Sequence, residues 1–340
     1  MPRTPQPLPS TLGTHFSVAQ ATAAGASLRR LRAKDLESPF HGARRVITAH
    51  PAPEEDDDGT PFARDRRIRA AVRDSAHLYA TVMPPDSFFC GRTAAVLLGA
   101  PLDHGQKLEV AVRAPRRAPR ARGIQGRTVA AHLVEVQMRA GLRVTSPATT
   151  WAMLGRDLNE RQLIVLGDAL VRVPRDHGGE LHPELSLASL AQLRSALDLG
   201  PRPRATVRLV AALDRIRVGS ASPLETEYRL DAESQGLPEP VLDMPICDAH
   251  GRRLGISEVV YPQFRTVAEI EGDHHRVSQR QWDRDLAKYR AYVEAGWHVV
   301  RLTSRNIRGS RPDAVALVRR ALALRGWDGA PTRDSRLRAL

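Results

Sequence analysis

The run Arg265-Thr266-Val267-Ala268-Glu269-Ile270-Glu271-Gly272-Asp273-His274-His275 decides how the C-terminal third of this chain is read. Its β-branched and apolar residues predict a strand that ends at the glycine. Strand side chains alternate between faces, so Val267, Glu269 and Glu271 share one face and Ala268 and Ile270 the other. Upstream, Arg253 to Tyr261 predicts a second strand carrying Glu258, and Glu239 to Cys247 predicts an extended run after Gly236-Leu237-Pro238. Ser222-Pro223-Leu224-Glu225 opens a helix. Downstream, an amphipathic helix leads to a last strand at Gly296-Trp297-His298-Val299-Val300-Arg301-Leu302. The order is helix, three strands, helix, strand. If the strands of Glu258 and Glu269 are neighbours, their carboxylates approach one another. Clustered buried carboxylates repel unless something neutralises them. A hard divalent cation such as Mg²⁺ or Mn²⁺ suits oxygen ligands and activates water for phosphate displacement.

The ordered set Ser222-Pro223-Leu224-Glu225, Gly236-Leu237-Pro238-Glu239-Pro240, Ser257-Glu258, Glu269 to His275, Asp285-Leu286-Ala287-Lys288 and Gly296 to Arg301 resembles a known superfamily, the PD-(D/E)XK nucleases. It resembles most the very-short-patch-repair-endonuclease-like branch (domain of unknown function 559). The resemblance covers about the last third of the chain. It implies a restriction-endonuclease-like αβββαβ domain and a metal-dependent DNA endonuclease that hydrolyses phosphodiester bonds. By that resemblance Glu225, Glu258, Glu269 and Glu271 hold the metal, and Glu258, Glu269, Glu271, His275 and Lys288 form the catalytic set. Two positions depart from the pattern: Glu258 and Glu271 stand where it has Asp. The lysine of its E-x-K form is absent, so Lys288 or His275 must supply the cation or proton shuttle. These departures equally suit a non-catalytic DNA-binding regulator or antitoxin with a degenerate nuclease-like domain.

Several of these residues also have ordinary structural readings. Ser222 and Glu225 spell a capping box, which alone accounts for both. Ser278-Gln279-Arg280-Gln281 spells another. Trp282, Leu286, Tyr289 and Val293 make one apolar helical stripe. Gly296 fits a helix C′ position, and Arg301 is a candidate phosphate contact.

The chain has 340 residues, which predicts two or three domains. Its net charge of +13 fits a polyanionic partner. Lysine occurs only at 34, 107 and 288, so the excess is carried by arginine, the better bidentate phosphate donor. Cys90 and Cys247 match no metal spacing and fit a reducing cytoplasm. Met1 to Gly13 does not read as a secretory signal, and no apolar run reaches the roughly 18 residues of a membrane span.

Phe16 to Leu36 reads helix, turn, helix, with Ser27 capping a second helix in which Leu28 and Leu31 pair. Arg29, Arg30, Arg32 and Lys34 would decorate its exposed faces and contact nucleic acid. Glu54 to Asp58 reads as a solvated loop, and Phe62 to Met83 as a helix burying Ile68, Val72 and Leu78. Leu108 to Arg113 alternates like a strand. Arg113 to Arg127 reads as a Pro/Arg-rich loop, either simply solvated or suited to tracking a phosphate backbone, and Ser146 and Pro147 start a helix. Phe89 to Gly99 and Val144 to Thr150 resemble segments of abortive-infection AbiEi-type antitoxins, which implies operator binding and a toxin partner. The expected organisation is therefore α/β and multidomain. It comprises a helix-turn-helix-like module over 1–83, a mixed α/β domain over 84–204, the nuclease-like domain over 205–328 and a tail over 329–340.

Overall fold

A computed structural model describes residues 6–47, 61–176, 178–271 and 279–330. Among them are eleven α-helices and twelve strands in three sheets, a mixed α/β chain. It forms two compact units, Met1–Asp157 with Leu193–Arg204, and Leu158–Gln192 with Ala205–Leu340. No described helix is long and apolar enough to cross a membrane.

The first unit opens with β1 (His15–Ser17), α1 (Val18–Ala23), β2 (Leu36–Glu37) and β3 (Ala43–Val46), an antiparallel sheet in the order β1-β3-β2. Ser17 caps α1 and exchanges hydrogen bonds with Gln20 in a capping box. The expected second helix does not form. Only a single 3₁₀ turn, Arg30–Arg32, follows Gly25, and Ala33 is already extended. Arg30 faces inward: it is 8% exposed, binds Asp35 through two hydrogen bonds of 2.9 and 2.6 Å, and also donates to the Gln6 carbonyl. That ion pair folds the chain back into β2 and removes Arg30 from the exposed cations. Leu28, expected to pair with Leu31, is exposed, whereas Leu31 is buried.

Next come α2 (Pro61–Ala80), β4 (Phe88–Phe89), α3 (Gly91–Leu98), β5 (Leu108–Arg113), β6 (Ile124–Val129), β7 (Val136–Arg139), β8 (Leu142–Thr145) and α4 (Pro147–Leu154). The five strands form one sheet in the order β6-β5-β4-β8-β7. Phe40 and Ala43 share a core with Val72, Leu78 and Tyr79 of α2 and with Phe89, Val96, Val110 and Val144. The expected boundary at 83/84 thus falls inside one core. Ile68 is exposed, not buried with Val72 and Leu78. β5 is buried on both faces up to its last residue, as an inner strand must be, instead of alternating. The expected loop to Arg127 contains β6, paired in parallel with β5 from Leu108↔Ile124 to Arg113↔Val129. Ser146 caps α4 as its sequence predicts, with Pro147 in the first turn. The acidic run Glu54 to Asp58 lies outside the described residues.

The second unit contains α5 (Glu160–Val171), followed by α6 (Leu190–Asp198), through which the unit boundary runs, then α7 (Thr206–Arg215) and α8 (Pro223–Ser234). Asp168 of α5 is fully buried and accepts from Thr226 and Arg229 of α8 (2.8 Å each) and from the Arg217 amide (2.8 Å). The remaining elements are β9 (Val241–Cys247), β10 (Arg253–Tyr261), β11 (Thr266–Glu271), α9 (Gln279–Glu294), β12 (His298–Thr303), α10 (Ser304–Arg308) and α11 (Ala314–Leu324). Their sheet has the order β12-β11-β10-β9, with β12 parallel to β11 and the other pairs antiparallel. The expected succession of helix, three strands, helix and strand is present.

One face of this sheet packs Val259, Tyr261, Ala268 and Ile270 against Tyr228 of α8 and Val315, Val318 and Leu322 of α11. The other packs Ile246, Val260 and Val267 against Tyr292 of α9. The alternation read from the sequence thus sends Val267 and Glu269 toward α9. The stripe expected on α9 is only partly buried, because Leu286 is 43% and Val293 60% exposed. Gly296 (φ 82) ends α9 in the left-handed region, and the Trp297 amide returns to the Tyr292 carbonyl.

Candidate active site

β10 and β11 pair at their hairpin end through Tyr261↔Thr266, Val260↔Val267 and Val259↔Ala268. Beyond that point β11 continues alongside β12 to Glu271↔Thr303, while β10 continues alongside β9. The two central strands therefore fork, and a fork strands backbone groups that a ladder would have paired. Side chains take their place. The Ile270 amide donates to Glu258 Oε2 at 2.8 Å. The Ile256 carbonyl accepts from Lys288 Nζ at 3.1 Å, and the same ammonium donates to Glu269 Oε2 at 2.7 Å. Glu258, Glu269 and Lys288 thus converge on the fork from β10, β11 and α9.

Glu269 is 4% exposed, and its second oxygen, Oε1, is buried with no hydrogen-bond partner among the described residues. A buried carboxylate oxygen left without a donor is costly. Burial pushes the Glu258 carboxyl up to about 8, and the charges of Glu225 and Glu269 add to the effect against the Ile270 amide and Lys288. Without a further cation Glu258 is therefore largely neutral at pH 7.

Glu225 lies at the first turn of α8 and is 2% exposed. Ser222 Oγ accepts from the Glu225 amide at 3.3 Å, but the Glu225 carboxylate turns to the Ala221 amide at 2.6 Å, so the reciprocal bond of a capping box is not made to Ser222. Burial raises the Glu225 carboxyl to about 6, opposed by the Ala221 amide, Ser222 and Arg172. Glu271, at the end of β11, is held by Arg301 Nε at 2.5 Å, and the Arg301 guanidinium lies 5.4 Å from the Tyr289 ring centroid. The acid expected to bind metal and the arginine expected to bind phosphate are thus paired with each other. Arg29, Arg32 and Lys34 are exposed in the first unit. His274 and His275, like Ser278, lie outside the described residues.

Three contributors escaped the sequence reading. Gly255 lets α9 approach β10: a Cβ there would stand 2.5 Å from the Tyr292 hydroxyl and 3.2 Å from Lys288 Cγ. Tyr292 closes the far side, accepting from Ser257 Oγ at 3.1 Å. Asp243 of β9 adopts a left-handed backbone (φ 51) and binds Arg175 Nε at 2.7 Å, and its charge is felt by Glu225. A glycine three residues before an acid in an otherwise continuous strand was the available signal for the first.

The residues fit a divalent cation in part. Glu258 and Glu269 offer hard oxygen donors, one of them unpartnered, in a buried place where charges interact strongly. Glu225 and Glu271 are committed to the Ala221 amide and to Arg301. Among the described residues no group of three or more His, Cys, Asp or Glu side chains is disposed to hold a metal.

No known-family profile matches the chain. Two proteins of Mycobacterium tuberculosis, one from strain CDC 1551 / Oshkosh and one from strain H37Rv, are similar to it, and both are described as uncharacterized. Each is 26% identical over 219 residues, which span 64% of this chain and 75% of the relative.

Proposed function

We propose that this chain is a metal-dependent DNA endonuclease whose C-terminal region is a PD-(D/E)XK-like nuclease domain of the very-short-patch-repair-like type. The observation that carries this reading is the fork between β10 and β11, where Glu258, Glu269 and Lys288 meet and Glu269 Oε1 has no partner among the described residues. Mg²⁺ or Mn²⁺ would be held by Glu258 and Glu269, with Glu225 and Glu271 as flanking acids. When bound, such an ion lowers the pKa of water and offsets charge on a phosphate. Lys288 takes the role of the lysine missing from the E-x-K pattern: it orients Glu269 and presents an ammonium to phosphate oxygens. His275 is the remaining candidate for moving a proton to or from the attacking water. The N-terminal β1-α1-β2-β3 module, with Arg29, Arg32 and Lys34, would supply DNA affinity.

A second reading, a non-catalytic DNA-binding regulator or antitoxin with a toxin partner, is favoured by one observation: Glu225 and Glu271, two of the four acids expected to hold the metal, are committed to the Ala221 amide and to Arg301. Plasmid cleavage with Mg²⁺, Mn²⁺ or EDTA, run beside Glu269→Gln, separates the two. Metal-dependent cutting that vanishes in E269Q supports the nuclease. Equal DNA binding by both proteins with no cutting under any metal supports the regulator.

A further inference from the structure

The connection between β5 and β6 has a role to itself. The two strands are parallel neighbours, so residues 114–123 must travel back along the full strand length, roughly 20 Å for six residues. They do so pressed against β6, the edge strand of its sheet. The Ala114 amide donates to the Val129 carbonyl at 2.8 Å, and Thr128 Oγ1 donates to the Arg116 carbonyl at 3.1 Å. Pro119 lies so close over Gly126 that a Cβ at 126 would stand 2.0 Å from the Pro119 carbonyl oxygen. The segment is therefore a fixed arm.

Its charge is of one sign. No Asp or Glu occurs between Glu109 and Glu135, whereas Arg113, Arg116, Arg117, Arg120 and Arg122 all lie on or beside the arm. Lys107 stands at the β5 end to which the arm returns. Two of these cations are anchored: Arg113 lies 5.6 Å from the Phe88 ring centroid, and Arg116 pairs with Asp86 at 2.6 Å. Arg117, Arg120, Arg122 and Lys107 are exposed and make no ion pair with any described residue. The geometry points to this arm as a sequence-independent binding strip for the phosphate backbone of duplex DNA. Along one DNA strand, about 20 Å of helix axis presents roughly six phosphates, enough for the four free cations. The backbone is held in place, so binding orders only side chains. Between the arginines stand only Ala and Pro, which offer no bulky apolar group for insertion into a lipid surface. The inference shares the DNA partner of the proposed function but not its chemistry.

The test is binding of a fluorescent duplex of about 20 base pairs to full-length protein in EDTA, titrated over NaCl, for wild type and the triple variant R117A/R120A/R122A. Each phosphate neutralised contributes about 0.9 to the slope of log K against log salt. The triple variant should therefore lose about 2.7 from that slope, with affinity near 0.1 M salt falling by about two orders of magnitude or more. The triple lysine variant should restore the slope, because the contact is one of charge. An unchanged slope in the alanine variant, with DNA binding retained, overturns the arm alone. No DNA binding by wild type at low salt overturns the arm together with the DNA partner of the proposed function. Binding to phosphatidylserine-containing vesicles that the triple variant loses, while its DNA slope stays put, assigns the arm to a membrane surface and overturns it too.

Discussion

Replacing Lys288 with Met removes the ammonium but keeps much of the side-chain volume. Glu269 is then left with neither oxygen compensated by a described residue, since Oε1 has no partner among them and Oε2 loses its 2.7 Å donor. The Ile256 carbonyl loses its side-chain donor as well. Removing one partner of a buried ion pair costs about 3–5 kcal/mol, because a charge is stranded where water cannot reach it. Glu269 is 4% exposed, so solvent offers little relief. In a unit of this size that loss corresponds to a fall of roughly 6–20 °C in the unfolding midpoint. The measurement is thermal and urea unfolding at pH 7 in EDTA for wild type, K288M, E269Q and E269Q/K288M. A neutral amide at 269 no longer needs the ammonium, so the double variant should regain most of the stability that K288M loses. A K288M protein within about 1 kcal/mol of wild type, or a double variant as unstable as K288M, refutes the view that the pair is buried and mutually dependent.

Glu258 and Glu225 have carboxyls raised by burial to about 8 and about 6, so the native state keeps protons that the unfolded chain releases. Their contribution to stability is complete below the ordinary carboxylate range and is lost as pH rises toward 8. For Glu258 alone, stability in EDTA should fall by about 2–3 kcal/mol between pH 5 and 7, and Mn²⁺ should flatten that fall; a pH series of urea midpoints reads both. Arg30→Ala should destabilise the first unit by about 1–2 kcal/mol, losing the paired hydrogen bonds to the half-exposed Asp35 and the contact to the Gln6 carbonyl, whereas R29A/R32A/K34A should leave the unfolding midpoint nearly unchanged and weaken DNA binding. Gly255→Ala should displace Tyr292 and Lys288, lowering cleavage more than stability, which parallel nuclease and melting assays would show. Gly91→Ala meets two obstacles, a backbone φ of 55 and a Cβ 2.1 Å from Glu109 Oε2, and should lose about 2 kcal/mol or more in urea unfolding.

Much of the C-terminal unit was legible because its signals are local. Alternation placed Val267 and Glu269 on one face, and Gly296 marked the end of α9. The fork was not legible, because it depends on where two strands stop pairing, and no residue in either strand states that. Its consequences were equally hidden: Glu258 capping a backbone amide, Lys288 filling the gap, and Arg301 neutralising Glu271. In the first unit, the i, i+3 pair Leu28 and Leu31 was read as a full helix, yet the chain makes only a 3₁₀ turn there and exposes Leu28. What decided the matter was a contact five residues ahead, Arg30 with Asp35. β6 was hidden by the Pro/Arg composition of the arm before it, although Ile124 to Val129 is itself regular strand.

The division of the chain into two units has a consequence for synthesis. The backbone passes from the first unit to the second after Asp157, returns after Gln192, and leaves again after Arg204. A ribosome therefore delivers α5 before the last piece of the first unit has emerged. Until residues 217–229 follow, the Asp168 carboxylate lacks the three donors that hold it in the finished protein: the Arg217 amide, then Thr226 and Arg229 of α8. Neither unit can be completed as one uninterrupted stretch of nascent chain. For the same reason a fragment starting at Ala205 would inherit Arg229 and Thr226 without the aspartate they surround, and one ending at Asp157 would lack Leu193–Arg204 of its own unit, so no single cut in the chain separates the two units.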